Sequence, residues 1–229
     1  MSIIRFDNPD HSFDSNLLSL EPIEEIKSEH SHYFKVPIKY NGGKLKIRLP
    51  KMYLKGIYCN TNLNTFSLFY PYPGENESLT EELTMFKEWI NLFEHHLREL
   101  VFESVKNCKL KNKIFKEILN DRNSFAPLFQ ETKNGRNMFI RFSSTDSIMK
   151  QKCFSFSGEE RNINEECAFG REGDYLVIVD MPSVYITCNN KTKHKAIIQI
   201  FGNTVFAQTE LKPNPKFDVK DLLGNEFLY

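Results

Sequence analysis

Apolar and polar residues alternate strictly in short stretches near the start of the chain. Residues 44–49 place leucine and isoleucine side chains on one face and three cations on the other. Alternation with a period of two is typical of a β-strand with one buried face. Residues 34–39 alternate in the same way, and Asn41-Gly42-Gly43 between the two runs predicts a tight hairpin turn. The simplest prediction is a four-stranded meander, completed by strands at 52–59 and 65–70.

The next segment has a helical period instead. From Leu79 to Val105, apolar residues recur every three or four positions, which predicts a helix of about 28 residues. Ser78 and Glu81 form a capping box that marks its start, and a shorter helix is predicted over 111–120. Because the outer face of the long helix is acidic, we expect its apolar stripe to pack against the sheet. Dimerisation through part of that stripe is the alternative.

Beyond residue 122 the pattern returns to short strands. The predicted class is therefore mostly β with one long and one short helix (α+β), arranged as an OB-like β-barrel with insertions; a β-sandwich fits the same pattern. Gly202-Asn203 predicts a tight turn between two of the late strands. The predicted organisation is an acidic N-terminal arm (1–30), one OB-like domain (31–212) with a helical insertion (77–120), and a C-terminal tail (213–229).

Charge is balanced in total but uneven along the chain. Lys+Arg and Asp+Glu both number 30, yet residues 1–29 carry seven acids and two bases. Residues 30–74 contain no acid but seven cations and nine aromatic residues, and 181–209 is a second acid-free window. Cations interleaved with aromatics suit a surface that neutralises phosphates and stacks bases. The alternative is an ordinary sheet with solvated lysines and core aromatics.

The candidate nucleic-acid contacts fall into two groups. Base stacking is predicted for Tyr53, Tyr58, Phe69, Tyr70, Phe139 and Phe206. Phosphate contacts are predicted for Lys35, Lys39, Lys44, Lys46, Arg48, Lys51, Lys55, Arg136, Arg141, Lys191, Lys193 and Lys195.

Catalysis has no residue pattern to support it. The chain has no phosphate-binding glycine loop, no metal-ligand spacing of histidines and no serine- or cysteine-hydrolase signature. We expect no enzymatic activity, no cofactor and no metal. Five cysteines without a C-x-x-C pair predict reduced thiols and an intracellular setting. No apolar run is long enough to predict a membrane span, and the first residues do not form a signal peptide.

Two runs resemble a known family. The run from Asn41 to Ile57 resembles a stretch near the start of single-stranded DNA-binding proteins of large eukaryotic DNA viruses, in which a short basic strand leads through a proline and a methionine to a glycine-containing strand. Residues 195–202 and 203–206 resemble the strands near the end of those proteins. The resemblance implies an OB-type barrel that coats replication intermediates without sequence preference. Residues 217–229 resemble the acidic-aromatic tails of other single-strand binders; a packed final element is the alternative.

The predicted function is sequence-nonspecific binding of single-stranded DNA on replication or recombination intermediates, in the host cytoplasm or nucleus if the protein is viral. Expected partners are single-stranded DNA, further copies of the chain, and replication proteins bound through the tail. The acidic arm would cover the DNA groove or bind a neighbouring subunit. The alternatives are a viral structural or adaptor protein that oligomerises through the long helix, and an RNA-binding module.

Overall fold

The computed structural model describes residues 3–7, 12–29, 32–60, 65–74, 78–110, 112–133, 135–145, 148–168, 171–188 and 194–211. Lys191, Lys193 and the predicted tail at 213–229 lie outside these ranges.

The described residues form short strands and a few helices, and the predicted mostly β class with one long and one short helix is confirmed. One very short helix, α3, was not predicted. The helices are α1 (Glu81–Asn107), α2 (Lys113–Asn120) and α3 (Ile163–Glu166). The strands are β1 (Leu18–Leu20), β2 (Glu24–Lys27), β3 (His32–Tyr40), β4 (Gly43–Lys44), β5 (Lys46–Arg48), β6 (Met52–Leu54), β7 (Tyr58–Asn60), β8 (Thr65–Pro71), β9 (Gln130–Thr132), β10 (Gly135–Phe142), β11 (Ser144–Thr145), β12 (Ile148–Met149), β13 (Lys152–Phe154), β14 (Glu160–Arg161), β15 (Arg171–Asp180), β16 (Ser183–Thr187), β17 (Ala196–Ile198) and β18 (Phe201–Leu211).

The strands build two main sheets. The larger follows the order β14-β13-β18-β10-β8-β7, with β15 on the other side of β18, β5 and β6 on β15, and β9 on β10. This sheet is open at its edges in the described part of the chain. The smaller sheet follows the order β1-β3-β16-β17, with β2 and β4 also on β3. The predicted meander is confirmed at its two ends, where β3 pairs with β4 and β7 with β8, but it is wrong at its centre, where β5 and β6 pair with β15 and not with their neighbours in sequence.

Two turn predictions have opposite outcomes. Asn41 and Gly42 both have positive φ, 50° and 68°, and join β3 to β4 as a two-residue hairpin turn, as predicted. Gly202 and Asn203 form no turn, because β18 runs straight through them with a register shift against Ile178 and Val179 of β15. The extra residue makes a β-bulge. A Cβ at Gly202 would overlap the ring of Phe142, so the close packing here requires glycine.

Helix α1 packs its apolar stripe into the core, as its period predicts. Its N-cap is Thr80, two residues after the predicted Ser78, and the Thr80 side chain accepts a hydrogen bond from the Leu83 N–H at 3.2 Å. Within the core, Phe6 is 1% exposed, and its ring centroid lies 5.1 Å from that of Phe86 and 5.9 Å from that of Trp89. The described part of the N-terminal segment therefore belongs to the same hydrophobic core as the helix.

No helix among the described residues is both long and apolar enough to cross a membrane.

Candidate nucleic-acid interface

Three predicted phosphate contacts, Lys46, Arg48 and Lys51, form what we call the cationic strip, along β5 and the loop that follows it. Each of these cations is bound to a carboxylate from a distant part of the sequence. Lys46 Nζ lies 3.3 Å from Asp180, and Lys51 Nζ lies 2.9 Å from Asp174. Arg48 is held between two acids, Asp7 at 2.7 Å and Glu82 at 3.1 Å. The strip is acid-free in sequence but not in space.

Strand pairing explains why acids reach the strip. β15 buries Tyr175, Val177 and Val179 and turns its even-numbered residues outward, so its acids lie beside β5 and β6. In that ladder Asp180 is opposite Lys46, and Asp174 is opposite Tyr53. Directly opposite residues on one face of a sheet interact. Neutralisation of the strip therefore follows from the register.

Arg48 is the least accessible member of the strip, with 17% of its side chain exposed. Partial burial works against ionisation of Asp7, but the hydrogen bond and positive charge of Arg48 outweigh it and hold the pKa of Asp7 below its ordinary value. This guanidinium is committed to two carboxylates, which suits a structural ion pair better than a phosphate contact.

The other predicted cations have varied surroundings. Lys35 and Lys39 of β3 lie 3.9 Å from Glu24 and 3.4 Å from Glu21, because the acidic segment pairs with β3. Arg136 stacks its guanidinium 4.0 Å from the centroid of the Tyr72 ring and lies 3.6 Å from Glu131. Lys44 and Lys55 are exposed. The prediction for Lys195 needs correction, because this residue is only 8% exposed and does not lie on an open surface. Its backbone N–H donates to the Ser124 carbonyl.

Three of the predicted aromatic residues come together on the outer face of the larger sheet. We call Tyr58, Phe69 and Phe139 the three-ring cluster. The centroids of Phe69 and Phe139 are 5.1 Å apart at an interplanar angle of 72°, and those of Tyr58 and Phe69 are 6.5 Å apart. Their neighbours along the strands, Leu68 and Ile140 among them, are buried, so the rings lie on the opposite side from the core. All three rings are partly exposed.

Tyr70 was predicted as a fourth stacking residue, and the structure contradicts this. The side chain is 0% exposed, and its hydroxyl donates to the Pro50 carbonyl at 3.0 Å. In β8 it follows Phe69 directly, so it points to the other face of the sheet. The sequence pattern could not fix which of the two adjacent aromatics faced the core.

An exposed cation stands beside the three-ring cluster. Arg141 lies two residues after Phe139 on β10 and therefore on the same face. A row of directly opposite residues crosses four strands here, from Tyr58 through Ser67 and Arg141 to Phe201. With strands about 4.8 Å apart, that row is about 14 Å long. Among the residues described, no carboxylate lies within ion-pair distance of Arg141.

Two further predicted stacking residues lie on other parts of the larger sheet. Tyr53 is 48% exposed, and its hydroxyl lies 3.4 Å from a carboxylate oxygen of Glu172, which makes its surroundings acidic. Phe206 is partly buried and packs on Phe154 with centroids 5.7 Å apart. Sequence reasoning missed Phe201, because residues 196–201 are almost continuously apolar and their pattern does not indicate which of them face outward.

No three His, Cys, Asp or Glu side chains within the described ranges come together as metal ligands. Two buried cysteines, Cys153 and Cys167, have sulfur atoms 3.6 Å apart and are both free thiols. The hydrogen bond with Cys153 raises the pKa of Cys167, and burial raises it further, so this thiol stays protonated.

Comparison with known proteins gives matches among solved structures alone. No family model matches the chain, and no curated protein matches it in sequence. The structure is similar to the single-stranded DNA-binding protein from bacteriophage Enc34, at 14% identity and a TM-score of 0.37, over 88% of this chain and 98% of that one. The same phage protein in complex with ssDNA matches at 14% identity and a TM-score of 0.32, over 86% of this chain and 99% of that one. A C-terminal truncation of the same phage protein matches at 14% identity and a TM-score of 0.32, over 86% of this chain and 98% of that one. At these values the likeness assigns no residue of the interface.

Proposed function

We propose that this protein binds single-stranded DNA without sequence preference, coats replication or recombination intermediates inside the cell, and acts by binding alone, without catalysis. The observation that carries the proposal is the three-ring cluster beside Arg141. Rings on an open sheet face offer π-surfaces to any base, and a neighbouring cation that has no acidic partner among the described residues can take a phosphate. Single strands fit this surface because their bases are unpaired and free to stack.

The family resemblance supplies the finer part of the proposal, a role among viral single-strand binders. The second of the two resembling runs, 195–206, passes through β17 into the start of β18, where Phe201 lies opposite Arg141. Self-association and recruitment of replication proteins through residues 213–229 belong to the same proposal.

The test is a fluorescence-anisotropy titration of labelled oligo-dT at low and high salt, with matched duplex DNA and RNA. We expect tight, salt-dependent binding with single-stranded DNA preferred. A double variant, Phe69→Leu with Phe139→Leu, keeps apolar bulk but removes two π-surfaces. Since stacking contributes about 1–3 kcal/mol per base, this variant should bind at least about tenfold more weakly.

Phe156→Leu provides the matched control, because this ring is 41% exposed on the loop after β13, outside the three-ring cluster. Its affinity should equal that of the unmodified protein. Equal loss in the control and the double variant would show that the cluster has no special part in binding. Failure to bind any single strand at low salt would contradict the proposal, and preference for RNA would move it to the RNA-binding alternative.

A further inference from the structure

The outer faces of the two sheets are continuous through one short segment of chain. Residues 196–201 leave the smaller sheet as β17 and enter the larger one as β18. Along this segment Ile197, Gln199 and Phe201 are partly exposed, while the residues between them are buried. The alternation of exposed and buried residues places the three side chains on the solvent side of this segment. The segment therefore connects the surface that carries Phe201 and Arg141 with the smaller sheet.

A pair of tyrosines stands at the other end of this surface. Tyr33 of β3 and Tyr185 of β16 have ring centroids 4.6 Å apart and an interplanar angle of 35°. Tyr185 is directly opposite Ile197 on one side and Lys35 on the other. Both rings are partly exposed and lie on the opposite face from the buried Phe34, Val184 and Ile186. We call Tyr33 and Tyr185 the tyrosine pair.

Arg141 lies between the two aromatic groups. Its backbone N–H donates to the Ile200 carbonyl at 2.9 Å, which fixes β10 against the connecting segment. Burial raises the pKa of the Tyr185 phenol, while the positive charge of Arg141 acts in the opposite direction. Arg141 thus adjoins Phe139 along its own strand, and its strand is fixed to the segment that carries Ile197, the residue directly opposite Tyr185.

We propose that the tyrosine pair is a second base-stacking platform, and that a single strand bound at the three-ring cluster continues across Arg141 and over Ile197 onto Tyr33 and Tyr185. This inference rests on the function proposed above. The adjacent Lys35 is 3.9 Å from Glu24, so local charge is balanced and the platform acts through stacking. Its removal should therefore shorten the occupied length of DNA without changing the salt dependence.

A length series of oligo-dT tests the proposal with the double variant Tyr33→Leu and Tyr185→Leu. Oligomers that cover only the three-ring cluster should bind it as they bind the unmodified protein. Longer oligomers should bind at least about tenfold more weakly, and the occupied site should shorten by about two nucleotides. Equal affinity of variant and unmodified protein at every length would overturn the platform, as would an equal loss at every length.

Two arms keep this outcome separate from that of the proposed function. If the unmodified protein binds no single strand, the proposed function itself fails. If the double variant does not fold, as judged by circular dichroism, the unmodified protein is photo-cross-linked to oligo-dT that carries iododeoxyuridine, and the modified residues are identified by mass spectrometry. Cross-links at Tyr33 or Tyr185 support the platform. Cross-links confined to Tyr58, Phe69 and Phe139 overturn it.

Discussion

The cationic strip and the three-ring cluster come from the same acid-free window of the sequence but have opposite surroundings in the fold. Lys46, Arg48 and Lys51 face carboxylates contributed by the N-terminal segment, by α1 and by β15. The ring of Phe69, in the same window, faces Phe139 and lies near a cation with no acidic partner in the described part of the chain. A window free of acid in sequence is therefore a poor guide to a basic surface when its strands pair with distant ones.

The comparison also separates structural charge from binding charge. An ion pair that is already satisfied must be broken before its cation can bind a phosphate, and the freed carboxylate then repels the DNA. For a cation beside exposed rings, no ion pair has to be broken and no carboxylate is released. The predictions that follow test this separation, and they begin with the change expected to have the largest effect.

The largest loss of stability is expected from a substitution in the N-terminal segment, which brings Asp7 to the cationic strip. Phe6→Ala should lower the free energy of unfolding by about 3–5 kcal/mol, because it leaves a cavity between the helix and the sheet. Urea unfolding measures this loss, with Phe156→Ala, an exposed ring, as the control. If Phe6→Ala kept its stability and bound DNA more tightly, the N-terminal segment would be a displaceable arm over a masked site, and the comparison would fail.

The second prediction concerns the centre of the strip. Arg48→Met keeps much of the side-chain volume but leaves Asp7 and Glu82 without their shared partner, so we expect a loss of about 1–3 kcal/mol in the free energy of unfolding. Affinity for oligo-dT should change less than about twofold, because a committed ion pair contributes little to phosphate binding. A large loss of affinity with unchanged stability would show that Arg48 belongs to the interface.

The pH dependence of the same variant has a definite sign. The pKa of Asp7 in the folded protein lies below its ordinary value of 3.8, so its contribution to stability is present above that value and is lost as the pH falls through the folded pKa. Arg48→Met removes the larger part of this contribution, while Arg5, 3.2 Å from Asp7, retains the remainder. The stability difference between variant and unmodified protein should therefore shrink in acid, as measured by urea unfolding at a series of pH values.

The sequence predicted the positions of strands and helices better than it predicted which strands pair with one another. Alternation identified β5, and the helical period identified α1, because both signals are local. The partners of β5 were not predictable, since β15 lies more than a hundred residues further along and its register depends on core packing. The same reason explains Tyr70: a shift of one residue exchanges the two faces of a strand, so Phe69 and Tyr70 could not be told apart.

A matched pair of substitutions compares the two regions directly. Arg141→Gln should weaken binding to oligo-dT about fivefold, a loss of about 1 kcal/mol, which is the upper end expected for one solvent-exposed ion pair. The slope of log affinity against log salt should fall by about 0.7, the value for one phosphate contact on a single strand. Lys46→Gln makes the same change of charge on the strip and should alter affinity less than about twofold. Equal effects of the two variants would erase the distinction between the regions.

The smallest expected change is in DNA affinity, when a carboxylate that neutralises the cationic strip is removed. Asp174→Asn removes the carboxylate that lies 2.9 Å from Lys51, whose side chain is 53% exposed and able to reach solvent. Binding to oligo-dT should tighten about twofold at low salt and be unchanged at high salt, because a single exposed charge is weakly coupled to its surroundings and easily screened. Glu159→Gln removes the same charge from an exposed pair with Arg161, at 2.7 Å, and should have no effect. Tightening by Asp174→Asn alone would show that the strip is a basic surface held neutral by its fold. Equal tightening by both variants would reflect net charge only, and no tightening by either would place the strip away from the DNA path.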